Sequence, residues 1–568
     1  MRGPKSRWDH YFVLIVETIN YSKIKHYAFW MWSASKGIRG RLCINGLLGL
    51  VGVAAGLCFI YYSKVLIDLA TQNKSVSNEA LYLYGAVLVF FILLEIFTDI
   101  YSSWLGRQTE IKMKNSTRRS IFGHLMNSSW EGNEKFHSGD MLNRLEEDVR
   151  VITDTLCNSF TNSIVTAVQL IAAFVFLAIM SPKLALVILL IMPFFLIFSK
   201  SYVKRMRRMT SNIRSTDSKV QSILQESLQH RIVIQSMEQS GIMGQKLEGQ
   251  QDILYGQTMK NTRFSLFAKS LVALGFVAGY MVAFMWGIIN LHTGAITFGV
   301  MAAFLQLVGQ IQRPTVDLAK QIPVFVSATA SIDRLAELEA IPEEKNNAAH
   351  RLSGVVGVRM DDVTFRYPKG DRDIFKNFSI DFTPGSKTAV IGETGSGKST
   401  MIRLMLSLLH PQDGEIVLYT LDGVSIKSDI SGRCNFVYVP QGNSLLSGTI
   451  RDNLLLGNSE ASDEQMYAAL HEAAADFVKE LPQGLDSKCG ELGAGLSEGQ
   501  AQRIAIARGL LRKGSIILLD EFSSSLDAKT EKTLIKRLLD NQRNKTMIFI
   551  THRDLILKYC SNVVKITP

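Results

Sequence analysis

Cysteine is scarce. Six residues, Cys43, Cys58, Cys157, Cys434, Cys489 and Cys560, are scattered over 568 positions with no CxxC pair and no metal-ligand spacing. Such usage suits a reducing compartment and argues against a zinc site. A convincing secretory signal is missing too. The segment HYFVLIVETINYSK is apolar only briefly, carries Glu17 and lacks a small-residue cleavage site. Positive charge is scarce in a more selective way. Formal net charge is +11, yet the connections at one end of the apolar runs described next carry little beyond Lys64, Lys74 and Lys183.

Long apolar runs are what the first half has instead. Leu42–Ser63 is free of charge throughout, and a helix needs about 20 such residues to cross the hydrocarbon of a bilayer. Leu81–Tyr101, Ser159–Met180, Leu184–Ser199, Leu271–Asn290 and Ile296–Gln312 follow, with tight breaks at Ser181-Pro182-Lys183 and His292-Thr293-Gly294. The spacing predicts six crossings. Lysine and arginine concentrate between Arg107 and Arg150 and between Lys200 and Arg263. Positive charge marks the cytoplasmic side, which puts both long segments and both termini there. The basic excess is thereby explained as topology, and nucleic-acid binding is not called for. Apolar residues recur at helical spacing inside the two basic segments, so the membrane helices are expected to run on into the cytoplasm and turn there. Residues 1–37 mix Trp8, Tyr11, Phe12, Tyr21, Tyr27, Phe29, Trp30 and Trp32 with Lys5, Arg7, Lys23, Lys25 and Lys36, which suits a segment lying at a membrane interface.

The composition shifts near Ala340. AIPEEKNNAAHRLSG reads as a linker. Beyond it, alternating runs such as VVGVRMDDVTFRY and apolar runs such as SIILLD and TMIFIT interleave with helical segments, the pattern of an α/β domain with a sheet between helices. The expected division is 1–37 interfacial segment, 38–340 membrane domain, 341–354 linker and 355–568 α/β domain.

Gly392-Glu393-Thr394-Gly395-Ser396-Gly397-Lys398-Ser399-Thr400 matches G-x-x-x-x-G-K-[ST] between the strand KTAVI and the helix MIRLMLSLL. Glycines in that setting let backbone N–H groups wrap phosphate oxygens at the positive end of a helix. Lys398 is expected to reach the β- and γ-phosphates of a nucleotide, and Ser399 to offer an oxygen to Mg²⁺. Asp520 ends the run SIILLD with Glu521 next. Alone, such a pair caps a helix as readily as it does chemistry. Beside a phosphate loop, Asp520 is expected to hold Mg²⁺ through water and Glu521 to polarise an attacking water.

With these residues the chain resembles an ABC exporter half-transporter, a membrane all-α six-helix domain with long cytoplasmic extensions followed by an α/β P-loop cassette. The resemblance covers nearly the whole chain and implies ATP and Mg²⁺ as ligands. It further implies that Tyr367 of FRYP stacks on adenine, that Gln441 of VPQGN touches Mg²⁺ and the attacking water, that Asp527 belongs to a loop signalling between cassettes, and that His552 of ITHR contacts the γ-phosphate. GLSEGQ (495–500) resembles the family's LSGGQ signature, whose Ser497, Gly499 and Gln500 close over ATP held by a facing subunit. Glu498 replaces a glycine there; turned outward it costs little, turned inward it opposes a phosphate and slows the site. One phosphate loop and one signature per chain imply a dimer, with a homodimer the economical choice and a heterodimer the alternative. Short helices near Trp130–His137 and Glu226–Ile232 are implied to pass motion to the membrane.

The function implied is ATP-driven export or flipping by alternating access; an ATP-gated channel or regulatory protein is the competing class, against which the full catalytic set argues. The plasma (inner) membrane of a bacterium is the expected location. Cargo is unread: lipid, peptide, drug and small thiol all fit. Glu95 and Asp99, one helical turn apart in the second apolar run, are either a structural pair or a bias toward cationic or amphipathic cargo.

Overall fold

The computed structural model describes residues 21–72, 77–133, 136, 138–344, 348–368, 370, 372–393, 395–489 and 495–566; side chains are placed for these except 21–24, 26, 28, 72, 133, 138, 190–204 and 207. The chain divides into two compact units. One comprises residues up to 122 together with 138–338, the other 123–137 together with 339 onward.

The first unit is helical: α1 Tyr21–Ala34, α2 Arg39–Gln72, α3 Asn78–Asn127, a run of short helical pieces from Ser138 leading into α4 Thr161–Met180, then α5 Pro182–Gln229, a short turn Arg231–Ser236, α6 Ser240–His292 and α7 Phe298–Glu339. At 1.5 Å per residue the 50 residues of α3 and the 53 of α6 span about 75–80 Å. That far exceeds the ~30 Å hydrocarbon core of a bilayer, so the apolar runs do continue as helix through the basic segments. Pro182 opens α5 within its first turn, where a missing N–H costs nothing, and Gly294 at φ +71 ends the turn after α6. The approach to α4 contains two π turns, Arg144–Asp148 and Thr155–Phe160. Phe29 and Trp32 of α1 are exposed, and the Arg39 guanidinium at the start of α2 lies 3.9 Å over the Trp32 ring; residues 1–20 lie outside the described chain.

Among the described residues four helical stretches are long and apolar enough to cross a membrane: Arg39–Thr71, Asn78–Asn127, Gly139–Met180 and Ser240–His292. Of the other two expected crossings, most of the Leu184–Ser199 side chains lie outside the described residues, and α7 carries Gln306, Gln310, Gln312 and Arg313 within its apolar run. Packing explains how α7 keeps these amides in company with apolar helices. Gly275, Gly279, Ala283 and Gly287 form a buried small-residue stripe along α6. A Cβ on Gly279 would lie 2.2 Å from Gln312 Nε2, and one on Gly287 2.8 Å from Met301 Cγ. Small residues at this spacing let membrane helices approach closely, and Gln312 donates to the Phe276 carbonyl at 3.3 Å. Leu177, Leu184, Ile188, Phe304 and Leu307 fill the core beside this seam. Farther along α7, buried Asp148 accepts from Arg334 Nε and Ser331 Oγ, both at 2.8 Å.

The second unit holds the sheets. Strands β1 Val356–Phe365, β2 Phe375–Phe382, β4 Asp413–Thr420 and β5 Ser425–Lys427 form an antiparallel sheet in the order β2-β1-β4-β5. Strands β3 Lys387–Ile391, β6 Phe436–Val439, β7 Ile516–Asp520, β8 Thr546–Ile550 and β9 Asn562–Lys565 form a second sheet in the order β9-β3-β8-β7-β6, parallel throughout. Every residue of β7 and β8 is buried, which is why both read as unbroken apolar runs rather than alternating ones. The helices that matter below are α8 Lys398–Met405, α9 Ile450–Leu455, α10 Asp463–Glu472, α11 Glu498–Leu511 and α12 Ala528–Asn541.

The stretch expected to be a linker is docked rather than loose at both described ends. Ile341 and Leu352 are buried. Arg433 grips Glu344 through both guanidinium nitrogens at 2.9 and 3.0 Å, and Ser129 N–H donates to the Pro342 carbonyl at 2.9 Å. The acids of IPEE thus serve as partners, a use that composition does not disclose. Asn435, fully buried, accepts from Leu352 N–H and donates to the His350 and Gly432 carbonyls, all at 2.9 Å. Asn435→Ala leaves a buried N–H and two carbonyls short of a partner, an effect of about 2–3 kcal/mol. The cassette melting transition of the full-length variant is expected to fall by several degrees while the distribution of oligomers is retained; an unchanged melt would show that this network does not hold 348–354 in place.

Candidate active site

Pairing in the parallel sheet assembles the site. Ile550 of β8 lies opposite Val390 of β3 on one side and Asp520 of β7 on the other, and Val439 of β6 lies opposite Leu519. Four strands therefore end at one level. The loops that leave them carry Gly392–Ser399, Glu521, Gln441 and His552 into one crevice, the place where open parallel sheets bind ligands.

The loop after β3 is shaped for phosphate. Gly395 and Gly397 adopt φ +84 and +99, and a Cβ on Gly397 would sit 2.8 Å from Ile374 Cγ2. Lys398 is buried and its ammonium donates to the Gly392 and Glu393 carbonyls at 2.7 and 2.9 Å. Those are placeholder bonds, weaker for a cation than bonds to a charged phosphate. Ser396 is 2% exposed, and its Oγ has no hydrogen-bond partner among the described residues. A folded loop with an orphan hydroxyl, whose lysine has only backbone carbonyls as acceptors among the described residues, fits a bound anion. Thr394 lies outside the described residues.

Glu521 sits between two predicted partners. Gln441 Nε2 donates to its Oε2 at 2.6 Å, and His552 Nε2 lies 3.6 Å from its Oε1. Its backbone is at φ +43, unusual for glutamate, and is held there by its own N–H donating to the Ile550 carbonyl at 3.0 Å. Asp520 is 5% exposed. Burial first, and the adjacent Glu521 charge second, raise its pKa, against the pull of Lys398, Tyr438 and Arg403. Ser399, on the exposed side of the first turn of α8, completes the candidate metal group with Asp520 and Gln441. No cluster of three or more His, Cys, Asp or Glu side chains occurs among the described residues, so a cation here would take hydroxyl, amide, carboxylate and phosphate oxygens, as Mg²⁺ does.

Tyr367 lies beside the first turn of α8. Its ring meets Phe365 edge-on at 5.0 Å, and its hydroxyl lies 3.3 Å from Thr400 Oγ1 and accepts from Arg403 at 3.1 Å.

Ser497, Gly499, Gln500 and Asp527 form a separate group; among the described residues none of them bonds to the phosphate loop. Ser497 and Gln500 make a capping box at the start of α11, Oγ accepting from Gln500 N–H at 3.2 Å and Gln500 Oε1 from Ser497 N–H at 2.9 Å. The cap uses an acceptor of Ser497 and leaves its O–H free to donate. Gly499 is buried, and a Cβ there would lie 2.8 Å from the Ser525 carbonyl, so the glycine lets this helix abut the loop that ends in Asp527. Asp527 caps α12, accepting from Lys529 and Thr530 N–H at 3.0 Å; those bonds hold its pKa low. Glu498 is exposed.

Sequence reasoning missed three residues of the crevice. Tyr438 on β6 is set against Asp520, and burial first and that carboxylate second push its own pKa up to about 12. Arg403 reaches Tyr367 and the field of Asp520 from α8. Gln502 is fully buried and donates to the Glu521 carbonyl at 3.2 Å, tying α11 to the backbone of Glu521. The available signal was polarity out of place: a tyrosine in the apolar FVYV, and a second glutamine on a helix face that otherwise reads as buried.

Comparisons with known proteins agree on what this crevice belongs to. A family described as ABC transporter transmembrane region matches residues 42–315, and one described as ABC transporter matches 375–524. An uncharacterized ABC transporter ATP-binding protein of Bacillus subtilis is 28% identical over 92% of this chain and 87% of its own. An ATP-dependent lipid A-core flippase of Photobacterium profundum is 27% identical over 84% and 82%, and a putative multidrug export ATP-binding/permease protein of Staphylococcus aureus is 27% identical over 94% and 93%. Among solved structures, a bacterial Atm1-family ABC exporter with ATP bound shares the fold at a TM-score of 0.78, with 22% identity over 93% of this chain and 94% of that one. With membrane helices and an ATP-binding cassette fused in one polypeptide, the chain belongs to the ABC exporters, ATP-hydrolysing transporters embedded in a membrane.

Proposed function

We propose that two copies of this chain form a homodimeric exporter whose two ATP sites each combine the phosphate loop of one copy with the LSEGQ segment of the other. The observation that carries this reading is the grouping of Gln441, Glu521 and His552 beside the phosphate loop, with Ser497, Gly499 and Asp527 gathered elsewhere on the same cassette. In each site Lys398, Ser396 and the backbone of Gly392–Thr400 hold the phosphates, and Tyr367 stacks on adenine. Ser399, Asp520 and Gln441 hold Mg²⁺, which when bound neutralises phosphate charge. Glu521 accepts the proton of the attacking water, oriented by Gln441 and His552. The free O–H of Ser497 and the N–H of Gly499 approach the partner's γ-phosphate, with Gln500 securing the cap and Glu498 facing outward.

Domain limits of 38–340 and 355–568 accompany this reading, with 1–37 at the interface of a bacterial inner membrane and both termini cytoplasmic. The segments near 130–137 and 226–232 carry cassette motion to the membrane helices. Flipping of a lipid and export of drugs, the activities in the names of two relatives, are the cargo classes that fit.

Glu521→Gln keeps the bond to Gln441 or its mirror image but removes the base. In nanodiscs it is expected to lower ATP turnover by about 10²–10³-fold while still binding Mg·ATP as a dimer; turnover within twofold of the native chain would remove Glu521 from the mechanism. Asp520 gives a pH test. Its raised pKa means that the ionised, metal-binding form is lost as pH falls through the raised value, earlier than for an ordinary aspartate. Tyr438→Phe removes a hydroxyl that favours the ionised form, raising that pKa further. Half-saturating Mg²⁺ at fixed ATP is therefore expected to climb at a higher pH in the variant, by about two- to threefold near pH 6. Superimposable Mg²⁺ titrations from pH 6 to 8 would show that Tyr438 does not tune Asp520.

A further inference from the structure

Within the helical unit lies a cavity of about 80 Å³ whose lining includes Gly52 and Gly56 of α2, Glu95 of α3, Gln169 of α4 and Gln310 of α7. Gly52 and Gln169 sit near the midpoints of their apolar runs, and Glu95 lies inside its own. Membrane depth is an expensive place for a carboxylate without a partner. Yet among the described residues no hydrogen bond or ion pair is made to the Glu95 carboxylate; Thr98 Oγ1 donates only to its backbone carbonyl, at 2.9 Å, and the ionisable side chain acting on it is Asp99, also acidic.

The surroundings keep this carboxylate uncovered. A Cβ on Gly56 would sit 3.6 Å from both carboxylate oxygens, and one on Gly52 would sit 3.0 Å from Thr98 Oγ1. The two glycines let α3 lie close to α2 and leave the space beside Glu95 empty of side chain. On the other side Gln169 Nε2 donates to Gln310 Oε1. That bond fixes both amides and leaves Gln169 Oε1 as an unused acceptor. The cavity thus offers a formal negative charge and a neutral acceptor on fixed helices, and contains no cation of its own. Its volume admits several waters, or a compact charged head group, but not the body of an amphiphile. Asp99, paired with Glu95 in the sequence reading, does not line it.

We propose that this cavity binds the ammonium head group of a cationic amphiphile, with Glu95 as counter-charge and Gln169 Oε1 as hydrogen-bond acceptor, while the apolar tail stays outside among the helices. The assignment rests on the exporter reading for what happens to that molecule during turnover, and occupancy of the cavity is measurable without turnover.

The test uses the full chain in nanodiscs, without nucleotide. Its thermal stability is titrated with dodecylammonium and, as a neutral molecule of the same chain length, with dodecanol. Dodecylammonium is expected to raise the melting temperature saturably and dodecanol not to. In Glu95→Gln the half-maximal concentration is expected to rise by about tenfold or more, as loss of a desolvated counter-charge requires. Gly56→Val, which places a side chain beside the carboxylate, is expected to weaken the response likewise, and Asp99→Asn to leave it within twofold. Equal responses to dodecanol, an equal response to Na⁺ or K⁺ alone, or an unchanged titration in both Glu95→Gln and Gly56→Val would each overturn the assignment. Stimulation of ATP hydrolysis by dodecylammonium, measured alongside, is expected in the native chain and right-shifted in Glu95→Gln. Loss of the exporter reading shows instead as native turnover in Glu521→Gln, so the two failures are distinct.

Discussion

The cassette depends on one strand pairing, that of β8 between β3 and β7. With Ile550 opposite both Val390 and Asp520, the phosphate loop, the acidic pair and His552 emerge at the same level, and the backbone of Glu521 is fixed by the Ile550 carbonyl. A slip of one residue would turn every side chain of β8 to the other face. It would also leave Glu521 N–H without that acceptor. Burial on both faces makes such a slip costly, because β8 contributes Met547 and Phe549 to one core and Ile548 and Ile550 to the other. The geometry of the site is therefore enforced by apolar packing well away from the reacting groups.

The crevice is built around charges with incomplete partners. Lys398 rests on two carbonyls, Ser396 on none, and Asp520 is buried beside a second carboxylate. Structural buried charges in the same chain look different. Asp148 accepts from both Arg334 and Ser331. Burying a charge is costly unless it is paired and hydrogen-bonded. That contrast separates groups prepared for a ligand from groups that hold the fold.

Legibility from sequence followed how local each feature is. The phosphate loop reads directly because its strand, glycines, lysine and helix are contiguous, and the long helices read because apolar periodicity persists through the basic segments. Gln441, Glu521 and His552 were nameable by motif, but their convergence on one carboxylate is a property of strand order. Tyr438, Arg403 and Gln502 could not be found that way, since each acts across the sheet or from a neighbouring helix. Hydropathy was weakest for α7. Its glutamines look wrong for a membrane run, and only the glycine stripe on α6 and the Gln169–Gln310 bond explain them. In the stretch expected to be a linker, polar composition does not disclose that Glu344 is clamped by Arg433.

The signature segment shows how the fold limits which residues can vary. Leu496 packs against the helical core of the cassette. Ser497 and Gln500 are committed to each other as a cap, and Gly499 has a carbonyl where a side chain would go. Glu498 is exposed, and among the described residues no hydrogen bond or ion pair holds its side chain. It also occupies the first turn of α11, where the positive end of the helix favours a carboxylate. A negative charge is thus tolerated at the one position of this segment that the rest of the structure does not need, and it is accommodated by the same helix N-terminus that makes the segment suited to phosphate. Replacing Gly499 instead would drive a Cβ into Ser525 and shift the loop leading to Asp527. The two glycine positions of the motif are therefore unequal on packing grounds, before any nucleotide is considered.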